Sequence, residues 1–189
     1  MLRFIFWLIY KFNGWGIKGQ LPPEVKKCVM LASPHTSNYD LIYAIVGLKY
    51  LGVKVRFTIK KEWLSFPFGV FMKPLGAIGI DRGPKTKGRK SMVDAMTDLF
   101  NDRDELTVLV TPEGTRKKVK KWKSGFYYVA LNAKVPIALG YLDYKNKIAG
   151  IGPVIYPSGD FEKDLRVIQE FYTTIPSKFP EKFGVPWKD

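Results

Sequence analysis

A histidine and an aspartate stand five positions apart in the segment HTSNYD, residues 35–40, and His35 is the single histidine of the 189-residue chain. A carboxylate that accepts the Nδ1 proton of a histidine leaves Nε2 free as a general base, and attack of a hydroxyl on an acyl ester or thioester needs such a base. Residues five apart do not share a helix face. His35 and Asp40 therefore meet only if His35 lies in a loop that folds back over the first turn of a helix.

The same segment also has a purely structural interpretation. Ser37 and Asp40 fit the capping-box pattern S-x-x-D, in which the aspartate serves only the helix end. A lone histidine is more often a surface or core residue than a catalyst. The segment alone leaves both interpretations open.

Other candidate residues follow short apolar runs. The segment TPEGTR, residues 111–116, comes directly after LTVLV and contributes Glu113, Gly114, Thr115 and Arg116. Its glycine lets the backbone approach a ligand closely. Arg82, in GAIGIDRG, can form a bidentate pair with a phosphate or a carboxylate. In KVPIALGY, residues 134–141, Pro136 opens another apolar run.

Apolar runs and helical patterns alternate along the chain. Strands are predicted at residues 28–33, 53–59, 76–80, 106–110 and 135–142, and helices at 39–50, 90–100, 126–132 and about 161–172. Residues 147–157 are predicted to form a strand pair. This order predicts a single α/β domain with a largely parallel sheet and flanking helices. Functional groups in such sheets gather at the carboxyl ends of the strands, where HTSNYD and TPEGTR are expected to lie.

Composition narrows the class of protein. A 46% share of hydrophobic residues argues against both disorder and a multispanning membrane protein. The single cysteine, Cys28, excludes an internal disulfide, and with one histidine there is no Cys/His cluster for zinc, so no metal site is expected. The formal net charge of +14 favours phosphates, nucleic acid or an anionic membrane as partners.

The N-terminus carries an unbroken apolar run, residues 4–10, between Arg3 and Lys11. The run is too short to cross a bilayer, which takes about 20 helical residues, and a secretory signal would need a small-residue cleavage site that does not follow. Aromatic and basic residues favour a helix in the membrane interface, over residues 1–20, ahead of a catalytic domain at 21–189. An amphipathic helix packed on the domain's own core is the alternative. The expected membrane contacts are Phe4, Trp7, Tyr10 and Lys11.

Taken in order, the four segments HTSNYD, GAIGIDRG, TPEGTR and KVPIALGY resemble the glycerolipid acyltransferase family, which includes the lysophosphatidic acid acyltransferases. The similarity extends from about residue 28 to about residue 140. It implies an acyl donor bound as a thioester of CoA or acyl carrier protein, a lysolipid acceptor hydroxyl, and no separate cofactor. It also implies a role in membrane lipid biosynthesis.

The resemblance also assigns roles. His35 is implied to be the general base and Asp40 its orienting partner. Arg82 and Arg116 are implied to hold the anionic group of the acceptor, which Glu113, Gly114 and Thr115 help to bind. The segment WKSGFYYVA resembles the Lys-x-Gly segment of the family through Lys123 and Gly125.

The acceptor stays open between a lysophosphatidate-like lipid and a lyso-amino-acid lipid, because arginine holds a phosphate and a carboxylate equally well. The expected partners are the lysolipid acceptor, the acyl thioester donor and an anionic membrane surface, without nucleic acid. The expected location is peripheral or monotopic on the cytoplasmic face of a membrane.

Two alternatives come from other classes of protein. The first is a nucleotide-binding protein. GPKTKGRKS, residues 83–91, approaches the phosphate-loop pattern G-x-x-x-x-G-K-S. However, Arg89 replaces the lysine, and Pro84 lacks an N–H for phosphate. RKKVKKWK, residues 116–123, has six basic residues and a tryptophan, which suits a nucleic-acid binder. It adjoins TPEGTR, so the phosphates of a donor or of a membrane lipid are nearer explanations.

Overall fold

The computed structural model of the protein describes residues 2–80 and 91–186. Its α-helices are Leu2–Phe12 (α1), Tyr39–Tyr50 (α2), Phe68–Leu75 (α3), Met92–Asn101 (α4), Gly125–Ala133 (α5) and Phe161–Thr173 (α6). Its strands are Gly16–Lys18 (β1), Lys27–Ala32 (β2), Val55–Lys60 (β3), Ala77–Ile80 (β4), Leu106–Val110 (β5), Ile137–Asp143 (β6) and Ile148–Ile155 (β7). Short 3₁₀ helices cover Lys61–Leu64 and Pro180–Lys182.

These strands form one sheet in the order β1-β7-β6-β2-β5-β3-β4. Strands β2 to β6 run parallel to one another, whereas β7 is antiparallel to β6 and carries β1 parallel to itself. The predicted α/β domain with a largely parallel sheet and flanking helices is therefore confirmed.

The sheet separates two apolar clusters because successive side chains of a strand point to opposite faces. In β2, Cys28 and Met30 enter one cluster, with α1, α2 and α3, and Val29 and Leu31 enter the other, with α4, α5 and α6. All four β2 side chains are fully buried. This double coverage explains why β2 reads as a continuous apolar run rather than an alternating one.

Three neighbouring parallel strands, β6, β2 and β5, end at the same edge of the sheet. The loops that follow them begin at Tyr144, Ser33 and Thr111. The functional segments predicted at strand ends are thus brought together by the strand order.

One predicted strand pair is wrong. Residues 148–155 form a single strand that pairs with β6. Gly152 and Pro153 suggested a break, but β1 pairs only with residues 148–150 of this strand. The missing N–H of Pro153 therefore lies beyond the β1 pairing and costs no bond to that strand.

The N-terminal helix ends at Phe12, earlier than residue 20, and β1 joins residues 16–18 to the main sheet. Tyr10 and Trp15 are buried, and the Tyr10 hydroxyl donates to the Gly16 carbonyl oxygen at 2.6 Å. Assigning Tyr10 to a membrane contact is therefore wrong, because its side chain packs against α2. None of the described helices combines the length and the apolarity needed to cross a bilayer.

The sequence did not predict α3. The helix has eight residues, fewer than the roughly 11 over which a helical period can be recognised. Pro67 and Pro74 add turn signals at both ends. The Gly76 C-cap, at φ 103°, ends the helix in the left-handed conformation that favours glycine.

Candidate active site

His35 and Asp40 meet, because His35 lies in the loop before α2 and folds back over the first turn of that helix. The His35 Nδ1 atom lies 3.0 Å from Asp40 Oδ2, and the Asp40 side chain is only 7% exposed whereas that of His35 is 24% exposed. Because a carboxylate can only accept, the geometry assigns the proton to Nδ1 and leaves Nε2 as the acceptor atom. The pair has the arrangement of an acid/base histidine.

The loop reaches this shape because Asp40 also holds its backbone. Asp40 Oδ2 accepts hydrogen bonds from the amides of Thr36 and Ser37, each at 2.9 Å. The N-cap of α2 is Asn38, which makes no side-chain cap. Only half of the capping box is formed, because Ser37 Oγ accepts from the Tyr39 amide and not from the Asp40 amide. The aspartate serves both the loop and the histidine.

Tyr144 completes the environment of the aspartate. Its hydroxyl donates to Asp40 Oδ1 at 2.6 Å, so both carboxylate oxygens have partners. Burial, with the hydrogen bond to Asp40, raises the pKa of Tyr144 and keeps the phenol a donor. Sequence reasoning missed this residue, whose only signal is its position directly after β6, beside β2 in the sheet.

The C-terminal segment closes over the same loop. The amide of Phe179 donates to Thr36 Oγ1 at 3.3 Å, and the Tyr144 amide donates to the Pro176 carbonyl oxygen at 3.1 Å. The Lys178 ammonium lies 3.9 Å from the centre of the Tyr39 ring. These contacts fix the loop from the side opposite β5.

Glu113 braces the loop from β5. Its Oε1 accepts from Ser33 Oγ at 2.6 Å and from the His35 amide at 3.2 Å, while Oε2 has no hydrogen-bond partner. The side chain is buried, and burial raises the pKa of its carboxyl group, although the hydrogen bond from Ser33 opposes that shift. The structure thus brings Glu113 to the site beneath the loop.

A polar pocket of about 290 Å³ opens beside the histidine, lined by His35, Thr111, Gly114, Thr115 and Arg116. Gly114 adopts a left-handed φ of 63°, and the Lys123 side chain packs against it where a Cβ would stand. A side chain at position 114 would therefore be strained and would displace Lys123. Three residues predicted to bind the acceptor, Gly114, Thr115 and Arg116, lie together in this pocket.

A larger cavity, of about 560 Å³, adjoins the polar pocket. Its walls are mainly apolar and include Ala44, Leu48, Phe57, Met96, Leu109, Phe126, Val129 and Leu142. His35, Thr111, Gly114 and Arg116 line both spaces, and Lys123 and Gly125 line the larger one. The histidine thus stands where an apolar cavity and a polar pocket meet.

Basic residues follow the polar pocket along the chain. Within residues 2–80 and 91–186, Arg116 forms no ion pair with a carboxylate. Lys117, Lys118, Lys120 and Lys121 beyond it are exposed, whereas Trp122 is buried in the core. The basic run therefore lacks the stacking tryptophan that the nucleic-acid alternative needs.

Arg82 and residues 83–90 of the phosphate-loop candidate lie outside the described residues. Ser91, its last position, is the N-cap of α4 and forms a capping box with Asp94. In the part of the chain that the structure describes, no three His, Cys, Asp or Glu side chains group as metal ligands.

The fold and the site define an α/β protein with a histidine–aspartate pair at the carboxyl ends of parallel strands. The pair lies between the apolar cavity and the polar pocket. The sequence profile of the Acyltransferase family matches residues 17–138, well over half of the chain. The chain belongs to this family, which contains the 1-acylglycerol-3-phosphate acyltransferases, and it is an acyltransferase. No curated protein matches the chain significantly.

Proposed function

We propose that the protein is a membrane-associated O-acyltransferase that moves a fatty acyl group from a thioester donor to a hydroxyl of a lysophosphatidate-like lysolipid in membrane lipid biosynthesis. The observation that carries the proposal is the position of His35 at the junction of the apolar cavity and the polar pocket. An acyl chain and an anionic head group are suited to these two environments, and the bond to be formed lies between them.

The reaction follows from the pair geometry. The acceptor oxygen attacks the thioester carbonyl as His35 Nε2 takes the hydroxyl proton, and Asp40, 3.0 Å from Nδ1, stabilises the imidazolium. The C–S bond then breaks, and the leaving thiolate takes the proton from His35. No covalent enzyme intermediate forms, and the products are the acylated lipid and a free thiol.

Binding of the acceptor is assigned to Arg116 and the backbone turn at Gly114. A guanidinium without a carboxylate partner among the described residues offers paired N–H donors to a phosphate. A carboxylate can accept the same paired hydrogen bonds from the guanidinium, so a lyso-amino-acid lipid is the alternative acceptor. Arg82 is proposed as the second arginine from the sequence resemblance.

The developing oxyanion needs a donor as well. The amides of His35, Thr36 and Ser37 already donate to Glu113 or Asp40. We therefore assign this role to the Thr115 hydroxyl, a side-chain donor of the polar pocket, and leave Arg116 to the anionic group of the acceptor.

A location at the cytoplasmic face of a membrane is part of the proposal. On α1, Phe4 is 62% exposed and Trp7 38% exposed, and Lys11 is also exposed. Aromatic and basic side chains together suit the interface of an anionic bilayer.

The direct test is an assay of the purified protein with a panel of lysolipids and with acyl-CoA and acyl carrier protein as donors. Lysophosphatidate should be converted to the diacyl product, with release of one thiol per ester formed. Conversion of a lyso-amino-acid lipid alone would favour the alternative acceptor. Absence of acyl transfer with every combination would refute the proposal.

A further inference from the structure

The geometry points to a second lipid-binding surface. We propose that the segment from the 3₁₀ helix to the end of α3, residues 61–75, inserts into an anionic lipid surface at the rim of the active site. We name its exposed apolar side chains the 61–75 face: Trp63, Phe66, Phe68, Val70 and Phe71. The inference rests on the proposed lipid acceptor, which the protein would meet at a membrane.

The exposure of this face is unusual for a soluble surface. Phe66 is 88% exposed, and the other four side chains are each more than half exposed. The inner side of α3 is already occupied, since Gly69 and Leu75 are buried and Met72 packs on the core. A helix that is apolar on both sides needs a second apolar environment.

Charge identifies that environment as anionic lipid. Lys60, Lys61 and Lys73 are exposed beside the face, where Glu62 is the only acidic residue of the segment. Tryptophan next to lysine is typical of the membrane interface, and basic side chains strengthen binding to anionic lipid. A second copy of this chain would present the same positive charge, which opposes self-association.

The topology places the face at the active site. The 3₁₀ helix follows the carboxyl end of β3, and β3 lies beside β5, so Trp63 and Phe66 extend from the same sheet edge as His35 and Glu113. At the far end of the strand order, β1 runs antiparallel to β2. Its first residue, Gly16, therefore lies at the same edge as the carboxyl end of β2. Phe12, 85% exposed at the end of α1, is therefore also placed there. Apolar groups thus lie on both sides of the site opening.

The proposal can be tested without turnover, by fluorescence quenching on vesicles of equal parts phosphatidylglycerol and phosphatidylcholine with brominated acyl chains. Trp63→Phe keeps an aromatic ring and should lower the fraction of tryptophan emission that the brominated lipid quenches. The double variant Phe66→Gln/Phe71→Gln should weaken partition into unbrominated vesicles by at least about tenfold, because two large apolar side chains no longer enter lipid.

Tyr156→Gln is the matched control. Tyr156 is 64% exposed but follows β7, whose carboxyl end lies at the opposite edge of the sheet, so its partition should equal that of the wild type. Equal quenching in Trp63→Phe, or unchanged partition of the folded double variant, would overturn the inference. Wild-type self-association that the double variant abolishes, without quenching, would assign the face to a second copy and would also overturn it. If the wild type shows no acyl transfer but its tryptophan emission is quenched as expected, the result counts against the proposed function and not against this inference.

Discussion

Asp40 accepts hydrogen bonds from four donors. One donor is the side chain of His35, the candidate general base, and the other three hold the loop. The histidine and the amides of Thr36 and Ser37 share Oδ2, and Tyr144 binds Oδ1. One carboxylate therefore fixes the loop and orients the imidazole in a single tautomer. Substitutions here need a stability measurement beside every rate.

The first prediction concerns the pair itself. His35→Ala should fold normally and lose at least about 100-fold in kcat, the usual contribution of a positioned base. Asp40→Asn keeps an oxygen for the loop amides but removes the charge that stabilises the imidazolium, so it should lose a similar factor with little change in Tm. Steady-state kinetics and thermal unfolding of both variants test this. Wild-type turnover in His35→Ala would refute the assignment.

Tyr144 is predicted to be a positioning residue. Tyr144→Phe should lower kcat about tenfold, because Asp40 loses the donor that holds its Oδ1 and the imidazole is then less well aligned. Without the phenol, the Asp40 charge acts more fully on the imidazolium, so the acid limb of the pH–rate profile should move to higher pH.

Tyr127→Phe is the matched control, because Tyr127 donates to the Asp164 carboxylate at 2.8 Å, outside the linings of both pockets. It should lower Tm and leave the pH profile in place. A profile that is also unshifted in Tyr144→Phe would reduce Tyr144 to a structural role.

Glu113 gives a prediction on stability. Burial raises the pKa of its carboxyl above the ordinary 4.5, so the folded protein keeps this proton to higher pH than the unfolded chain. The resulting stabilisation is complete below 4.5 and is lost as pH rises through the raised value. Glu113→Gln cannot lose a proton. Its Tm relative to the wild type should therefore rise as pH increases above 4.5, and a constant difference would contradict the prediction.

At the scale of elements, the site is made by the ends of β6, β2 and β5. These neighbouring strands deliver Tyr144, His35 and Glu113 to one edge, and the loop after β5 continues to Arg116. Each loop is braced by a hydrogen bond from another strand's loop. The polar pocket is therefore positioned by the sheet, although its residues lie in loops.

Arg116 is predicted to bind the acceptor. Arg116→Ala should raise the KM of the acceptor by about 10- to 100-fold and change the donor KM less, because a charge-assisted pair to the anionic group is lost. Arg116→Lys should recover only part of the loss, since an ammonium lacks the planar fork. Lys121→Ala, an exposed residue outside both pocket linings, is the control. An unchanged acceptor KM in Arg116→Ala would place the anion elsewhere.

At the scale of the whole molecule, the charge of +14 and the exposed apolar side chains point to the same kind of partner. The structure also limits how this is tested. Deleting residues 2–16 would remove Tyr10 and Trp15 from the core, so the deletion would not spare the fold. Point variants of exposed α1 residues are the appropriate probes.

The protein is predicted to bind anionic vesicles, and Phe4→Ser/Trp7→Ser should weaken that binding while Tm stays within a few degrees. Charge and apolar insertion act together, so high salt should release the wild type partly and the variant more completely. Vesicle cosedimentation with and without salt measures this. Complete release of the wild type by salt would show that α1 does not insert, and no binding to anionic vesicles would refute the membrane location.

The sequence by itself determined apolar runs of strand or helix length that end at turn residues, such as β5 and α2, whose bounds match the predictions. For His35 and Asp40 the sequence indicated the condition under which they meet, a loop that folds back over the first helical turn, and left a capping box as the alternative. The short helix α3, which follows Pro67 and ends at Gly76, left no readable signal.

Only the tertiary structure decided what depends on strand order. That Tyr144 reaches Asp40 across 104 positions, and that Glu113 lies beneath the loop and not in the pocket lining, follow from β6 and β5 flanking β2. Burial of Tyr10 was equally unreadable, because an apolar aromatic beside a lysine fits a membrane and a protein core alike. The physical reason is the same in each case: periodicity reports the local environment of a residue, whereas its partner is set by which distant strands become neighbours.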